Sequence, residues 1–352
     1  MRRTRLSCAI GLAVMATCFM PAAQAHESHS SQADTHTSSP ARDVTETTAQ
    51  YPLTIQHAFG TTVIENKPQR IATVAWANHE VPLALGVVPV GFPRQGFGDD
   101  DGDGMMPWVK TRLEALGGDA SVLREDGRTP DIEALAASKP DVILAAYSGL
   151  SEDDYARLSE IAPVVARPGP RWSSSWRDMI RLDSAGMGMA AEGEALIERL
   201  EAQVAENVAS HPEIQGKSAI ILRYIDPEDP TRIAFYNDND TRLRFLAELG
   251  LTSPSFVSAS ASDGKIGGRV PPQQLAELAD VDILLTYGGQ ALIERLNQHL
   301  ADNDLPTFSN DRVILLENDP MGTAANPTPL SMPAVLDAYI AELSRAAEAA
   351  KG

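Results

Sequence analysis

The chain has 352 residues, with 29 Lys and Arg against 48 Asp and Glu, a formal charge of −19 at pH 7. So acidic a surface repels nucleic acid and anionic lipid, which excludes both as expected partners. The length suits two domains.

Arg2, Arg3 and Arg5 precede a mostly apolar run over 6–20, and Ala23-Gln24-Ala25 forms an A-x-A site before His26. Residues 1–25 therefore read as a secretory signal, with an apolar run too short for a comfortable membrane span. Cys8 and Cys18, the only cysteines, both lie inside it. Thr17 stands where a lipobox wants a small residue before the cysteine, so cleavage at Ala25 is expected ahead of lipid anchoring at Cys18. The expected mature chain keeps 26 basic and 48 acidic residues, a formal −22, and only six lysines. Without a thiol it has no cysteine catalysis and no cysteine metal site. Residues 26–50, rich in Ser, Thr, Ala and Asp, read as a disordered leader, in which His26, His29 and His36 are solvated linker residues. An exported, soluble protein is expected.

Strand and helix patterns alternate from there on. Residues 70–76 (RIATVAW) read as a strand, 78–85 as a short helix stopped by Gly86, and 87–92 as a second strand. An irregular Asp/Gly stretch follows Gly96, then a helix over 108–116. Thr129-Pro130-Asp131 opens a helix that Pro140 stops, and 141–147 (DVILAAY) is a buried-type strand. Ser151 starts a helix reaching Ile161, before a strand at 164–166. Short loops between alternating elements argue a parallel sheet covered by helices.

Residues 191–210 (AEGEALIERLEAQVAENVAS) carry Leu196, Ile197, Leu200, Val204 and Val208 on one stripe. His211-Pro212 ends this helix, which is about 30 Å long. Beyond it the order recurs, with strands at 218–225, 232–236, 282–287 and 312–317. Helices are expected over 241–249, 271–280, 291–300 and 333–350. Segment 130–149 (PDIEALAASKPDVILAAYSG) is echoed by 272–289 (PQQLAELADVDILLTYGG), and ALG at 84–86 by ELG at 248–250. Two echoes in corresponding order predict two similar lobes: 51–175 and 212–352, joined by a helical segment over 176–211.

Ligands of open α/β sheets sit beyond the carboxyl ends of the strands. That rule selects Trp76, Asn78, Arg94, Tyr147, Arg167 and Trp172 in the first lobe. In the second it selects Arg223, Tyr224, Tyr236, Asn237 and Tyr287. Rings and guanidinium groups at strand ends suit a bulky, partly apolar ligand with anionic or carbonyl oxygens.

The matching pieces of a larger resemblance are PQRIA at 68–72, ALGVVPVG at 84–91, IEALA at 132–136 and KPDVI at 139–143. LPTFSNDRV at 305–313 and PLS at 329–331 complete the set. Over nearly all of 51–345 the chain resembles the ABC-transporter substrate-binding proteins for ferric siderophores, cobalamin and haem. The Pro107-Trp108 region looks most like the ferric-siderophore branch. The resemblance implies a class III periplasmic binding protein: two Rossmann-like α/β lobes with parallel sheets, a single long backbone helix between them, and a shallow cleft. It implies a monomer, no catalysis and no resident cofactor, with iron carried inside a ferric siderophore and delivered to an ABC permease dimer. In that family a glutamate on each lobe meets permease arginines. Glu133 matches the first position; Gln273 stands at the second, with Glu277 a candidate substitute. The arginines Arg94, Arg167 and Arg223 are expected to offset charge on an anionic complex.

Three rival readings are a cobalamin or haem carrier of the same fold, an exported α/β hydrolase, and a calcium-dependent adhesion module. No G-x-S-x-G turn supports the hydrolase. Asp99, Asp101 and Asp103 open a D-x-D-x-D-G pattern, but Lys110 stands where a calcium loop needs its last carboxylate. GMGMAA at 186–191 follows RLDSA rather than a strand, so it reads as a helix break. His57, His79, His211 and His299 share no metal-ligand spacing.

Overall fold

The computed structural model describes residues 49–350 apart from 124–128 and 227. The expected signal over 1–25 and residues 26–48 of the expected 26–50 leader, with Cys8, Cys18, His26, His29 and His36, lie outside the described residues. No described helix is long and apolar enough to cross a membrane.

An antiparallel hairpin of β1 (Leu53–His57) and β2 (Gly60–Ile64) comes first. The first sheet then builds from β3 (Ile71–Thr73), α1 (Glu80–Ala84), β4 (Gly91–Pro93), α2 (Pro107–Leu116) and β5 (Ser121–Leu123). It continues with α3 (Ile132–Ser138), β6 (Val142–Ala145), α4 (Glu152–Ser159) and β7 (Val164–Ala166). Its order is β5-β4-β3-β6-β7 and every pairing is parallel. The strand residues of β3, β4, β6 and β7 are all buried, as a sheet covered on both faces requires. Asp131 caps α3, and Ser151 forms a capping box with Asp154 at α4.

Helix α5 (Trp176–Gly186) and helix α6 (Ala190–Ser210) follow. GMGMAA is the break between them, with Gly188 at a φ of +72° that an L side chain avoids. Leu196, Ile197, Leu200 and Val204 of α6 are buried. They share one core with Ala146 and Tyr147 from the first lobe and Ile221, Ile283 and Leu285 from the second. Each such side chain contributes about 1.5–3 kcal/mol by leaving water. The stripe read from the sequence is thus buried in a core to which both sheets contribute, with α6 packed on α5 and the C-terminal helix.

The second lobe contains β8 (Ala219–Ile225), β9 (Ile233–Tyr236), α7 (Thr241–Glu248), α8 (Ser255–Ala259), β10 (Gly267–Arg269) and α9 (Leu275–Ala279). It closes with β11 (Ile283–Thr286), α10 (Gly289–Ala301), β12 (Val313–Leu315) and α11 (Ser331–Ala349). The order β10-β9-β8-β11-β12 mirrors the first sheet. The core strands β8, β11 and β12 are parallel, whereas β9 and β10 run antiparallel. The short connection from Ile225 to Ile233 explains the reversal, since a parallel partner needs a crossover of a dozen or more residues.

Candidate functional site

Both sheets aim strand ends at a shared cleft. In the first sheet β3 and β6 are the central pair, where the strand order switches direction. Trp76 follows β3 and Tyr147 follows β6, so both reach the cleft. Ala75 and Ala77, on either side of Trp76, hold positive φ values of 63° and 60°, a backbone region alanine rarely occupies. Asn78 fastens this turn. Its amide donates to the Val74 carbonyl (2.7 Å) and the Tyr147 carbonyl (3.0 Å), and its oxygen accepts from the Tyr147 N–H (2.9 Å). Asn78 is fully buried. It shapes the loop that presents Trp76 and does not itself face the cavity.

The cleft holds a cavity of about 320 Å³ lined by Trp76, Phe97, Tyr236, Arg242, Tyr287, Thr323 and Asn326, within the size range of small-molecule sites. Tyr287 meets Phe97 edge to face at 5.6 Å and Tyr236 at 6.4 Å. Arg242 lies flat over Tyr236, with Cζ 3.8 Å from the ring centroid. Its Nε and Nη2 donate to the two oxygens of Asp240 at 2.7 and 2.9 Å, a bidentate fork. Burial alone lowers the Arg242 pKa, but the Asp240 carboxylate raises it well above the ordinary value, so the guanidinium is permanently charged. Burial pushes the Tyr287 phenol up to about 12, against the pull of Arg242, so this ring is a neutral hydroxyl. The Trp76 indole N–H is buried with no acceptor among the described residues.

A polar floor seals the cleft below. The Tyr147 hydroxyl lies 3.2 Å from the Thr241 hydroxyl, which donates to Asn326 Oδ1 at 2.9 Å. Trp172, at a φ of +59°, packs its ring edge to face against Tyr147 at 5.4 Å.

The remaining residues selected by the strand-end rule lie elsewhere. Arg94 donates to Asp99 and to the Gly102 carbonyl, which ties down the acidic loop. Arg167 stacks over Phe59 of the hairpin at 4.7 Å and donates to the Gly169 carbonyl. They follow β4 and β7, which flank the switch point. Asn237 is fully buried and hydrogen-bonds Ser260 and the Asn239 N–H. Tyr224 is 43% exposed on the antiparallel extension of β8. Arg223 occupies the bulge between Leu222 and Tyr224 and reaches the rim, 5.0 Å from the Tyr236 ring. Arg94 and Arg167 are not among the residues that line the cavity.

Asp99, Asp101 and Asp103 bring one oxygen each within 4.8 Å of one another. Lys110 Nζ takes the cation's place, 2.9 Å from both Asp101 and Asp103, while Asp99 accepts from the Gly102 and Gly104 N–H groups. Glu133 and Gln273 are exposed on α3 and just before α9. Glu277 caps α8 through the N–H and hydroxyl of Ser255, so it is engaged within its own lobe.

His79 is buried, stacked on Phe92 at 4.5 Å, and depressed to a pKa of about 3 by burial. A depressed histidine binds its proton in the unfolded chain first, so its contribution to stability is present above the ordinary value and lost as pH falls. Between pH 6.5 and about 3 the loss runs at about 1.4 kcal/mol per pH unit. The His79→Leu variant is expected to lose less stability than the parent when chemical unfolding is repeated at falling pH. Parallel acid limbs would contradict a neutral His79.

The family described as periplasmic binding protein matches this chain over residues 71–320. The probable siderophore-binding lipoprotein YfiY of Bacillus subtilis (strain 168) is 28% identical over 210 residues, 59% of this chain and 60% of that protein. The Fe(3+) dicitrate-binding periplasmic protein FecB of Escherichia coli (strain K12) is 31% identical over 118 residues, 33% of this chain and 35% of that protein. The chain thus spans less than two thirds of the length of either curated relative. Among solved structures, PiaA of Streptococcus pneumoniae TIGR4 in complex with ferrichrome is 35% identical, with a TM-score of 0.77. That match covers 84% of this chain and 99% of that one.

Proposed function

Since this chain belongs to the periplasmic binding protein family, we propose that it captures a ferric siderophore in the interlobe cleft and hands it to an ABC importer. The observation that carries this reading is the cavity of Trp76, Phe97, Tyr236, Tyr287 and Arg242, in a chain similar over most of its length to a ferrichrome-complexed protein. Aromatic faces cover the apolar shell of a chelate, and guanidinium donors meet its oxygens. The iron stays wrapped by its chelator, so the protein needs no resident metal and carries out no catalytic step. The favoured cargo is an uncharged trishydroxamate of the ferrichrome type, ahead of cobalamin or haem.

The protein acts in the periplasm as a monomer, released at Ala25. Glu133 is the first-lobe carboxylate offered to permease arginines. With Gln273 in the second-lobe place and Glu277 engaged at α8, docking is asymmetric. Exposed charge here governs orientation and encounter rate.

Tryptophan fluorescence tests the reading. Trp76 lines the cavity and Trp172 packs beside it, so a bound ferric chelate quenches both. Saturable quenching by ferrichrome at or below about micromolar, roughly −8 kcal/mol, is expected. Ferric tricatecholates, cobalamin and haem serve as comparators. A folded protein that responds to none of the siderophores would end the carrier reading.

A further inference from the structure

The Arg242 guanidinium presents hydrogen-bond donors to the cleft, yet its charge is cancelled at the source. Asp240 grips it through both carboxylate oxygens, and the Asp240 side chain is fully shielded from solvent. An arginine has five N–H donors, and the fork with Asp240 uses two of them. Tyr236 backs one face of the plane at 3.8 Å. Arg242 lines the cavity beside Tyr287, to which it also hydrogen-bonds. Phe97, which lines the same cavity, leads into the loop of Asp99, Asp100, Asp101 and Asp103, opposed there by Arg94 and Lys110. Arg242 thus offers donors whose charge Asp240 balances, with Arg223 at the rim a separate cation.

From this geometry we infer that Asp240 sets the charge class of the cargo. Acting through Arg242, it tunes the cleft to an uncharged chelate whose carbonyl and hydroxamate oxygens accept hydrogen bonds, and against anionic iron chelates. Asp240 is a positioning residue, and its role rests on the ferric-siderophore reading.

The test compares the parent protein with Asp240→Asn, using ferrichrome as the uncharged probe and ferric dicitrate as the anionic one. Asparagine keeps the side-chain oxygen that caps α7 at the Arg242 N–H, removes the charge, and turns an N–H₂ toward Arg242 Nη2 in place of the second acceptor. Affinity for ferric dicitrate is expected to rise about tenfold and to become steeper in salt, while that for ferrichrome changes less than about threefold. An unchanged ratio of the two affinities, or a parallel loss for both, overturns the inference and leaves the carrier reading standing. The double variant Asp240→Asn/Arg242→Gln should lose the gain for ferric dicitrate; a gain that persists also overturns it. If Asp240→Asn does not fold, the parent carries the test through salt titration from about 0.02 to 0.5 M NaCl. Ferric dicitrate binding that is flat, rising or absent throughout supports the inference, and binding that tightens at low salt overturns it. A folded parent that binds neither probe removes the carrier reading itself and Asp240's role with it.

Discussion

Replacing Glu80 by alanine is expected to destabilise the fold by about 3–5 kcal/mol, because three buried donors lose their acceptor together. Glu80 is 2% exposed. One carboxylate oxygen accepts from the Trp108 indole at 2.8 Å, and the other accepts from the Thr328 hydroxyl and from the Leu330 N–H at 2.9 Å. A single side chain therefore joins α1 and α2 of the first lobe to the strip leading into α11. Glu80→Gln keeps the shape and one acceptor but turns an N–H₂ toward a donor, so a smaller loss of about 1–3 kcal/mol is expected. Urea unfolding of both variants measures the effect. A loss below about 1 kcal/mol for alanine would mean that water replaces the carboxylate and that this contact does not fasten the lobes.

The same strip shows where sequence reasoning ran out. Residues 317–330 supply Asn318 to the Gly98 N–H, Thr323 and Asn326 to the cavity, and Thr328 to Glu80. They have neither a helical nor a strand period, being rich in Pro, Asn and Thr. Nothing local says which lobe they touch. By contrast α6 was legible, because its stripe repeats at the helical period and is buried where expected. Trp76, Tyr147 and Tyr287 were legible for a different reason: each follows a central parallel strand, where chain direction alone fixes the address.

The rule failed where its premise failed. Arg94 and Arg167 follow flanking strands, whose ends face the acidic loop and the hairpin rather than the switch point. The hairpin of β1 and β2 carries only a short signal, Ile55 and His57 alternating inward at period two. Tyr224 and Asn237 belong to a β8–β9 pair that is antiparallel, so position after an apolar run no longer locates the carboxyl edge. Arg242 had no strand-end signal at all. It sits near the start of α7, and a charged residue there ordinarily reads as a solvated helix face. Its one local clue is Asp240, an N-cap two residues earlier that can fold back onto the guanidinium. That pairing depends on burial, which the sequence does not display.

Arg242 is also where the largest loss of binding is expected. Truncation to alanine removes the cavity's guanidinium and the plane stacked on Tyr236, and should weaken ferrichrome binding about 100-fold, about 3 kcal/mol. Part of any measured change would come from stranding Asp240, since a buried carboxylate without its partner costs about 3–5 kcal/mol of stability. The double variant Arg242→Ala/Asp240→Asn separates the two effects by removing the charge along with its partner. It should recover thermal stability and leave affinity about 100-fold down. Arg242→Lys keeps a positive charge but can neither fork to both Asp240 oxygens nor lie flat on the ring, so a loss of about tenfold is expected. Fluorescence titration alongside thermal unfolding reads both quantities on the same samples. If the double variant, folded and stable, binds ferrichrome within about threefold of the parent, the aromatic walls alone hold the chelate. The guanidinium would then be a brace for Tyr236 rather than a contact for the cargo.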